Sequence, residues 1–551
     1  MDSLRVFSAI IFAVAVFLLF DAWVKENRPA APPVSSAQDS VPVAPSVALP
    51  SASLPGAQSS PSVVQAPAVA GESGQIVTVR TDLFIAEIDT LGGVIKRLEL
   101  LKHRGTIDKK INFELFERQG ERTYYAQSGL IGAGLPNHTT LYRTQQRSYQ
   151  LGEGQSELVV ELRAEPVNGT QVTQRYTFQR GSYVIDVGYD IRNASAQPIA
   201  AHAYFQLLRD GNAPPGDSRM LPTYTGAAVY TEASKFKKVG FDDITKGKTD
   251  YPKEASDGWI AIVQHYFVAA WLPIGTTPRE FYTRTVGNGL FAVGLILPVA
   301  EVAPNSQGSI KAELYAGPQE QDKLAELAPG LNLTVDYGWL TIIAAPLFWV
   351  LQWIYKWVGN WGVAIILLTV LIKLIFYPLS AASYKSMAKM RVMAPKLQKF
   401  KELYGDDRQR MQQAMLELYK TEKINPLGGC LPILVQIPVF ISLYWVLLAS
   451  VGLRHAPFIW WIQDLSATDP YYVLPVLMGL SMIVQTRLNP TPPDPVQAKV
   501  MKIMPVVFSV FFFFFPAGLV LYWLVNNLLS IAQQWQITRA IEGSKPANAS
   551  R

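Results

Sequence analysis

Lys373 is the residue whose position most directly predicts chemistry. It lies in an otherwise apolar segment, WGVAIILLTVLIKLIFYP (Trp361–Pro378), which is long enough to cross a bilayer. A cation near the bilayer centre costs about 2.5–3.5 kcal/mol on insertion scales, so it needs a partner or water. No Asp or Glu lies well inside any candidate membrane segment. The sequence therefore predicts a hydrated, positively charged pocket, in which water, backbone carbonyls or a visiting ligand meets the ammonium.

Three further polar residues follow the helical spacing of Lys373. Thr369, Lys373, Tyr377 and Ser380 succeed one another at intervals of four, four and three residues, which places them on one face of a continuous helix. This pattern predicts a polar stripe along the pocket. A second interpretation stays open, because Ser380 is only about 10 Å further along such a helix and a lysine can extend its charge to the cytoplasmic surface.

Amide and hydroxyl side chains also interrupt two later apolar segments. Such groups commonly form hydrogen bonds between membrane helices, but they could equally line a hydrated pocket. The sequence leaves both interpretations open for Gln436 and Asn526. It favours helix–helix bonding for Gln533 and Gln534. The residues are Gln436, Asn526, Asn527, Ser530, Gln533 and Gln534.

Other kinds of chemistry are not indicated. Cys430 is the single cysteine, which excludes an intrachain disulfide and a cysteine-cluster metal site. The five histidines have no metal-ligand spacing, and there is no glycine-rich phosphate loop or nucleophile elbow. We therefore expect no catalytic residues, no metal and no cofactor. The net charge of +6 is typical of basic cytoplasmic loops in a membrane protein, so DNA is not an expected partner.

The composition predicts a mixed architecture that positions these residues. The 551 residues are 49% hydrophobic, with a mean hydropathy of +0.14, which fits several membrane spans joined to a large water-soluble part. Six transmembrane helices are predicted. The first is an uncleaved anchor within residues 1–25, because its apolar run is long for a signal peptide. The other five are Trp361–Pro378, Leu431–Leu453, Tyr471–Gln485, Met501–Phe515 and Leu519–Ile537.

Two regions separate the first span from the others. Residues 26–70 contain nine prolines and read as an extended tether. Residues 71–335 contain short alternating segments, such as the one from Tyr183 to Ile191, separated by turn signals such as Gly92-Gly93 and Asn168-Gly169. Alternation with period two is typical of half-buried strands, so this region is predicted to be a large β-sandwich.

The segment from 336 to 358 has two interpretations. It is apolar enough to span, but Trp349, Trp353 and Trp357 recur every four residues beside Gln352 and Lys356. Aromatic amphipathic helices tend to lie in the membrane interface. Only about three residues separate this segment from the next span, which is a short connection for a chain that must reverse its direction. We therefore predict an interfacial amphipathic helix.

Charge predicts the orientation. The loop from 379 to 424 carries ten basic and five acidic residues, which places it in the cytoplasm by the positive-inside rule. Counting spans from there puts the N-terminus in the cytoplasm, the β-rich region outside, and the short tail 541–551 in the cytoplasm. If the segment 336–358 also spanned, the β-rich region would move to the cytoplasmic side.

The cytoplasmic region 383–424 is predicted to be a helical hairpin. Gly405-Asp406 is its turn signal, and Pro395 is expected to interrupt the first helix. Its methionines could form a seam between the helices or capture passing hydrophobic segments. Its basic residues could meet anionic lipid or ribosomal RNA, or be simply solvated. The candidates are Met387, Met390, Met393, Lys385, Lys389 and Arg391.

Several motifs resemble those of the YidC family of bacterial membrane protein insertases. They are NWGVAIILLTVLIKLIFYPLS (Asn360–Ser380), SMAKMRVMAPKLQ (Ser386–Gln398), NPLGGCLPILVQIPVF (Asn425–Phe440), DPYYVLPVLMG (Asp469–Gly479) and FPAGLVLYWLVNN (Phe515–Asn527). GWIAIVQHYFVAAWLP (Gly258–Pro273) is similar to part of the large periplasmic domain of the Gram-negative form. The motifs occur in the family's order, which makes the resemblance specific.

The resemblance implies a non-enzymatic insertase and chaperone for inner-membrane proteins, acting alone or with the Sec translocon and without a nucleotide. It implies a periplasmic β-supersandwich and a five-helix insertase core, residues 359–540, around a hydrophilic groove. Nascent membrane proteins and the lipid bilayer are the implied partners, and we expect the ribosome and targeting factors as further ones. The groove's basic residue maps onto Lys373, where several members have Arg, and its substrate-contacting aromatic maps onto Trp523. Thr369, Gln436 and Asn526 complete the expected groove set.

Two other classes of protein are less consistent with the sequence. An ion-coupled transporter would be expected to carry membrane carboxylates or a histidine relay, and the sequence shows neither. An anchored glycan-binding or mutarotase-like enzyme would place the activity in the β-rich region, where no convergent acid/base set is visible in the sequence.

Overall fold

The computed structural model describes residues 74–119, 122–216, 223–287, 289–405, 407–421, 431–489 and 495–543. The predicted anchor, 1–25, and the tether, 26–70, lie outside the described residues, as does the tail from residue 544 onward. Those three predictions stay predictions.

Two antiparallel-rich sheets form the N-terminal part. The first sheet comprises β1 (Ile76–Arg80), β2 (Phe84–Asp89), β3 (Val94–Arg104), β4 (Asn112–Gln119), β5 (Arg122–Ile131), β7 (Ser148–Gln150), β11 (Ile199–Asp210), β14 (Glu254–Ala255), β17 (Arg279–Thr285) and β18 (Leu290–Val302). Within the described residues its order is β14-β17-β18-β11-β5-β4-β3-β2-β1-β7. Only the β1–β7 pairing among these neighbours is parallel.

The second sheet packs against the first through a shared core. It comprises β6 (Tyr142–Arg143), β8 (Glu157–Ala164), β9 (Thr170–Gln179), β10 (Val184–Asn193), β12 (Gly226–Thr231), β13 (Lys235–Val239), β15 (Trp259–Gln264), β16 (Phe267–Pro273) and β19 (Ser306–Pro318). The described strands run in the order β13-β12-β15-β16-β19-β10-β9-β8-β6. A short helix, α1 (Phe241–Thr245), follows β13, and α2 (Gln321–Leu327) follows β19.

The alternation seen in the sequence builds this sandwich. In β10, Ile185, Val187, Tyr189 and Ile191 are almost fully buried while the intervening residues are more exposed. Inward residues from both sheets form one contiguous hydrophobic cluster, as expected of two packed sheets. The predicted β-sandwich is therefore confirmed.

Eight helices make up the rest of the described chain. They are α3 (Thr341–Val358), α4 (Trp361–Ile375), α5 (Tyr377–Tyr404), α6 (Arg408–Thr421), α7 (Leu431–Ala449), α8 (Val473–Leu488), α9 (Pro495–Phe512) and α10 (Ala517–Gly543). By length and composition, only α3 of the described helices could cross a membrane by itself, and α4 with α5 passes as a bent pair. Apolar parts of α7 and α8 are shorter.

The span predicted from Trp361 to Pro378 is broken in the structure. Helix α4 ends at Ile375, and α5 begins at Tyr377 with an angle of 67° between them. Pro378 lies in the first turn of α5, where a missing backbone N–H costs little. The polar stripe is therefore interrupted, and Tyr377 is 39% exposed on the second helix.

The hairpin predicted for residues 383–424 has the expected form with one difference. Helices α5 and α6 pack against each other on either side of Gly405. Pro395 was expected to interrupt the first helix, and this prediction is wrong, because α5 continues through it from Tyr377 to Tyr404. The unbroken helix makes α5 long enough to reach from the membrane helices to the hairpin's tip.

Candidate functional site

A cavity of about 370 Å³ lies between α4, α5, α7, α8 and α10. Polar side chains from four of these helices face the Lys373 ammonium across it, and none of the described residues that line it is Asp or Glu. The lining residues are Lys373, Ser380, Ser383, Tyr384, Met387, Gln436, Ile437, Phe440, Met478, Met482, Gln485, Asn489, Trp523, Asn526, Asn527, Ser530 and Gln534. We call this space the polar cavity.

Lys373 is buried at the wall of the polar cavity, with 5% of its surface exposed. Its Nζ donates a hydrogen bond to Ser530 Oγ at 2.8 Å. The Ser530 hydroxyl in turn donates to the backbone oxygen of Asn526 at 2.7 Å, one helical turn earlier. A hydroxyl has one proton, so this arrangement turns its lone pairs towards the ammonium. The remaining ammonium protons are available to water or to a ligand's oxygen.

The amide side chains on α10 connect it to two neighbouring helices. Gln436 Nε2 donates to Asn526 Oδ1 at 2.9 Å, which joins α7 to α10. Asn527 Nδ2 donates to Ser481 Oγ at 2.7 Å, which joins α8 to α10. Both interpretations left open by the sequence hold at once for Gln436 and Asn526, since they line the cavity and bind each other. Near the end of α10, Gln534 Nε2 donates to Leu488 O at 3.2 Å, the helix–helix bond expected for it.

Trp523 forms the aromatic part of the wall. Its ring meets Phe440 edge to face, with centroids 3.8 Å apart, and meets Phe512 at 4.9 Å. The Trp523 Nε1 has no hydrogen-bond partner among the described residues although it is buried. An unpaired buried donor of this kind is uncommon in folded proteins.

Thr369 does not have its expected place. Its side chain is 1% exposed and its Oγ1 donates to Ile365 O at 2.6 Å on its own helix. Thr369 is absent from the residues that line the polar cavity. The α-helical spacing was read correctly, but the hydroxyl bonds its own backbone, as threonine in membrane helices often does.

The hairpin residues divide into three groups. Met387 lines the polar cavity, whereas Met393 is buried and Met390 is half-buried. Lys385 and Lys389 are exposed. Arg391 lies on α5, but its side chain is outside the described part of the chain. The hairpin therefore presents one methionine to the cavity and two lysines to its surroundings.

Two residues were not recognised from the sequence in the roles they take. Ser530 was noted only as a polar group, yet it is the partner of Lys373. Its interval of four from Asn526 was a usable signal, because that spacing places both on one helical face. Arg454 was counted only as a loop charge, yet it is buried against the β-sandwich. No local pattern in the sequence indicates that contact.

Fold and cavity together define a class of protein. An all-β domain is followed by apolar helices, and these helices enclose a polar, cationic cavity. No group of His, Cys, Asp and Glu able to hold a metal occurs among the described residues. These features define a helical membrane protein with a large extramembrane β domain and a polar, cationic cavity among its helices.

The family follows from comparison with known proteins. The family described as "YidC periplasmic domain" matches residues 76–350, and "60Kd inner membrane protein" matches residues 353–545. The membrane protein insertase YidC of Aromatoleum aromaticum is 56% identical over 99% of this chain and all of that relative. The one from Nitrosospira multiformis is 55% identical over all of this chain and 99% of that relative. The chain belongs to the YidC family of membrane protein insertases.

Solved structures were compared as well. A crystal structure described as an active YidC insertase with its first transmembrane domain resolved covers 84% of this chain and 94% of its own, at 20% identity and a TM-score of 0.39. A galactose mutarotase related enzyme from Lactobacillus acidophilus covers 44% of this chain at 8% identity and a TM-score of 0.29.

The family assignment settles the general activity. This protein is a membrane protein insertase of the inner membrane, with a periplasmic β domain. Membrane proteins are its substrates and the lipid bilayer is its surroundings. Its relatives carry the name of an insertase and not of an enzyme, in agreement with the expectation from the sequence.

Proposed function

We propose that the polar cavity is the groove through which this protein passes the polar flank of a nascent membrane segment. The observation that carries the proposal is the state of Lys373. Its ammonium is buried, it donates to the neutral hydroxyl of Ser530, and the described cavity wall contains no carboxylate. A buried cation without a counter-ion attracts an acidic group, and the acidic group is spared part of its desolvation cost.

The mechanism follows from the cavity's two kinds of wall. The polar flank of a substrate enters from the cytoplasmic side and meets Lys373, Gln436 and Asn526. Trp523 and Met387 contact the adjoining apolar residues. The apolar segment then moves sideways into lipid, where burial of its own surface makes the step favourable. The short apolar helices α7 and α8 thin the local bilayer and reduce the distance the polar flank must travel.

The proposed topology places both termini and the α5–α6 hairpin in the cytoplasm. In this topology helix α3 does not span the bilayer. It lies in the interface on the periplasmic side of the inner membrane. Its buried residues Leu351 and Ile354 face the other helices, while Trp349, Trp353 and Trp357 are 65%, 53% and 76% exposed. A tryptophan-rich exposed face supports an interfacial position.

The proposed partners follow the charges on the hairpin. Lys385 and Lys389 are exposed on α5, and Arg391 belongs to the same helix. These residues would contact the ribosome or anionic headgroups as a nascent chain arrives. Cooperation with the Sec translocon and with targeting factors completes the proposal, with the periplasmic domain outside and the groove open to the neighbouring bilayer.

The test uses cells depleted of the native protein and supplied with Lys373→Ala, Lys373→Glu or Lys373→Arg. Two single-span substrates are compared, one with Asp and Glu in its translocated tail and one with Asn and Gln in their place. We expect Lys373→Glu to slow insertion of the acidic substrate about tenfold, or about 1.4 kcal/mol of activation free energy. Insertion of the substrate with Asn and Gln in its tail should change little in these variants. Lys373→Arg should insert both substrates at close to the native rate. Normal insertion of the acidic substrate by both the Ala and Glu variants would show that the charge is not used.

A further inference from the structure

We infer that Arg454 is a positioning residue for the groove. It fastens the α7–α8 loop, residues 450–472, to the β-sandwich, and this loop holds the outer ends of α4 and α10 so that Lys373 meets Ser530. The inference rests on the proposed function of the polar cavity and adds a role for the periplasmic domain in shaping it.

Arg454 is buried in a contact between two parts of the chain that are far apart in sequence. Its side chain is 9% exposed. The guanidinium carbon lies 5.1 Å from the ring centroid of Phe113 and 5.4 Å from that of Phe267, both in the sandwich. Its Nη2 donates to Thr106 Oγ1 at 3.0 Å. A planar cation that lies against aromatic rings with little water is a strong and oriented contact.

Asp464 supplies a second connection and gives the loop its shape. Its carboxylate accepts the backbone N–H of His455 at 3.0 Å and of Ser466 at 3.0 Å. It also accepts Lys109 Nζ from the sandwich at 2.8 Å. Lys109 is 53% exposed, so this ion pair is weak compared with the buried Arg454. The loop is therefore ordered internally by Asp464, and Arg454 is the most buried of its contacts with the sandwich. These contacts also include Lys109 and a bond of 3.3 Å between His455 Nε2 and Arg104 O.

The same loop caps the start of α10. Leu465 O accepts the backbone N–H of Gly518 at 2.9 Å, and Ala467 O accepts that of Ala517 at 2.7 Å. The first N–H groups of a helix have no partner within it, so these carbonyls replace a conventional cap. Helix α10 carries Trp523, Asn526 and Ser530, and its position follows that of the loop.

The loop also holds the start of α4. Asn360, the N-cap residue of α4, donates its Nδ2 to Phe458 O at 2.9 Å. The Phe458 ring packs directly on Gly362, where a Cβ would lie 2.0 Å from a ring carbon. Helix α4 carries Lys373. One loop therefore sets the positions of both helices whose side chains meet at 2.8 Å in the polar cavity, a distance that a shift of about 1 Å would disrupt.

The experiment uses the full chain in lipid nanodiscs and measures amide hydrogen exchange together with insertion rate. For Arg454→Ala we expect the amides of Ala517 and Gly518 to exchange about tenfold faster, as for a locally opened helix end. Insertion of the acidic substrate should slow about threefold, while exchange in β10 stays unchanged. Arg454→Lys keeps the charge but lacks the planar group. Its exchange and insertion rates should therefore lie between those of the native protein and Arg454→Ala. Thr106→Val removes only the Oγ1 contact and should show a smaller effect of the same kind.

Lys237→Ala is the matched control, since it removes an exposed sandwich ion pair with Asp250 at 2.9 Å and should change neither measurement. Unchanged exchange of the Ala517 and Gly518 amides in Arg454→Ala would overturn the inference. Faster exchange of these amides with a normal insertion rate of the acidic substrate would overturn it as well. Lys373→Ala, measured in parallel, separates this result from the groove proposal. That variant should slow insertion without changing exchange at the start of α10.

Discussion

The ammonium of Lys373 on α4 and the hydroxyl of Ser530 on α10 meet at 2.8 Å although 157 residues separate them in the chain. This bond joins the two helices at the wall of the polar cavity. Because Ser530 also donates to Asn526 O, the cation is bound through a neutral hydroxyl to the backbone of α10. A ligand carboxylate would therefore replace a neutral partner rather than a counter-ion.

Ser530→Ala should destabilise the membrane part. A hydrogen bond to a charged group contributes about 1.5–3 kcal/mol, and the variant leaves the Lys373 ammonium with water alone. Ser530→Thr retains the hydroxyl and should be close to the native protein. The measurement is thermal unfolding in detergent. Ser509→Ala provides a control, because the Ser509 hydroxyl makes only a long bond of 3.4 Å to Pro475 O. Equal unfolding temperatures for the Ser530 and Ser509 variants would contradict the role of Ser530.

Gln436 and Asn526 should behave as a coupled pair. Their side-chain bond of 2.9 Å joins α7 to α10, and polar pairs in membrane helices contribute about 0.6 kcal/mol on average, with a maximum near 1.7. Gln436→Leu, Asn526→Leu and the double variant form a double-mutant cycle. Reversible unfolding in mixed micelles measures the coupling energy, and strictly additive effects would show that the bond does not form in the membrane.

Acid should destabilise the region where His103 lies, between the sandwich and the α7–α8 loop. Burial, together with the nearby Arg454, His455 and Lys323, lowers the pKa of His103 to about 4 from its ordinary value of 6.5. Between those two values the unfolded chain binds a proton that the folded chain does not, so the free energy of unfolding falls as the pH drops from about 7 to 4. The slope is at most about 1.4 kcal/mol per pH unit.

Replacing His103 by Phe should flatten that dependence. The His103 ring already contacts Phe267 edge to face at 5.3 Å, so an aromatic hydrocarbon can occupy the site. Denaturant unfolding at pH 7, 6 and 5 compares the two proteins. The native protein should lose stability across this range and His103→Phe should lose less. The same acid dependence in both would mean that another group titrates.

The sequence predicted elements whose determinants are local. The alternation through Ile185 and Tyr189 is visible within ten residues, and it was enough to identify β10 and its buried face. The apolar segment around Lys373 likewise identified helix α4. Pro378 was a local signal that a new helix begins at this point, but no residue spacing gives the 67° angle between α4 and α5. A polar spacing of four continues across such a break in the sequence but not in space.

Most residues of the candidate cavity were predictable from the sequence, with Thr369 the exception, but their pairings were not. Lys373, Gln436, Trp523 and Asn526 all line one cavity. Their partners depend on contacts between helices distant in sequence, which residue spacing does not encode. Arg454 is the clearest example, since a loop arginine is usually solvated, whereas this one is covered by aromatic rings more than 180 residues away in the chain.

Helix α3 could lie in the membrane interface or span the membrane, and the two interpretations predict different depths for its three tryptophans. Trp349, Trp353 and Trp357 cover eight residues of helix, or about 12 Å along its axis. In an interfacial helix the three positions lie at one depth, whereas in a spanning helix their depths differ by about 12 Å. Each tryptophan is replaced in turn by cysteine in a Cys430→Ser background, and a spin label attached there reports its depth by the ratio of oxygen to nickel-chelate collisions. We expect three equal, shallow depths. A graded series from shallow to deep would show that α3 spans and, because the β domain is periplasmic, would reverse the orientation proposed for the helices that follow it.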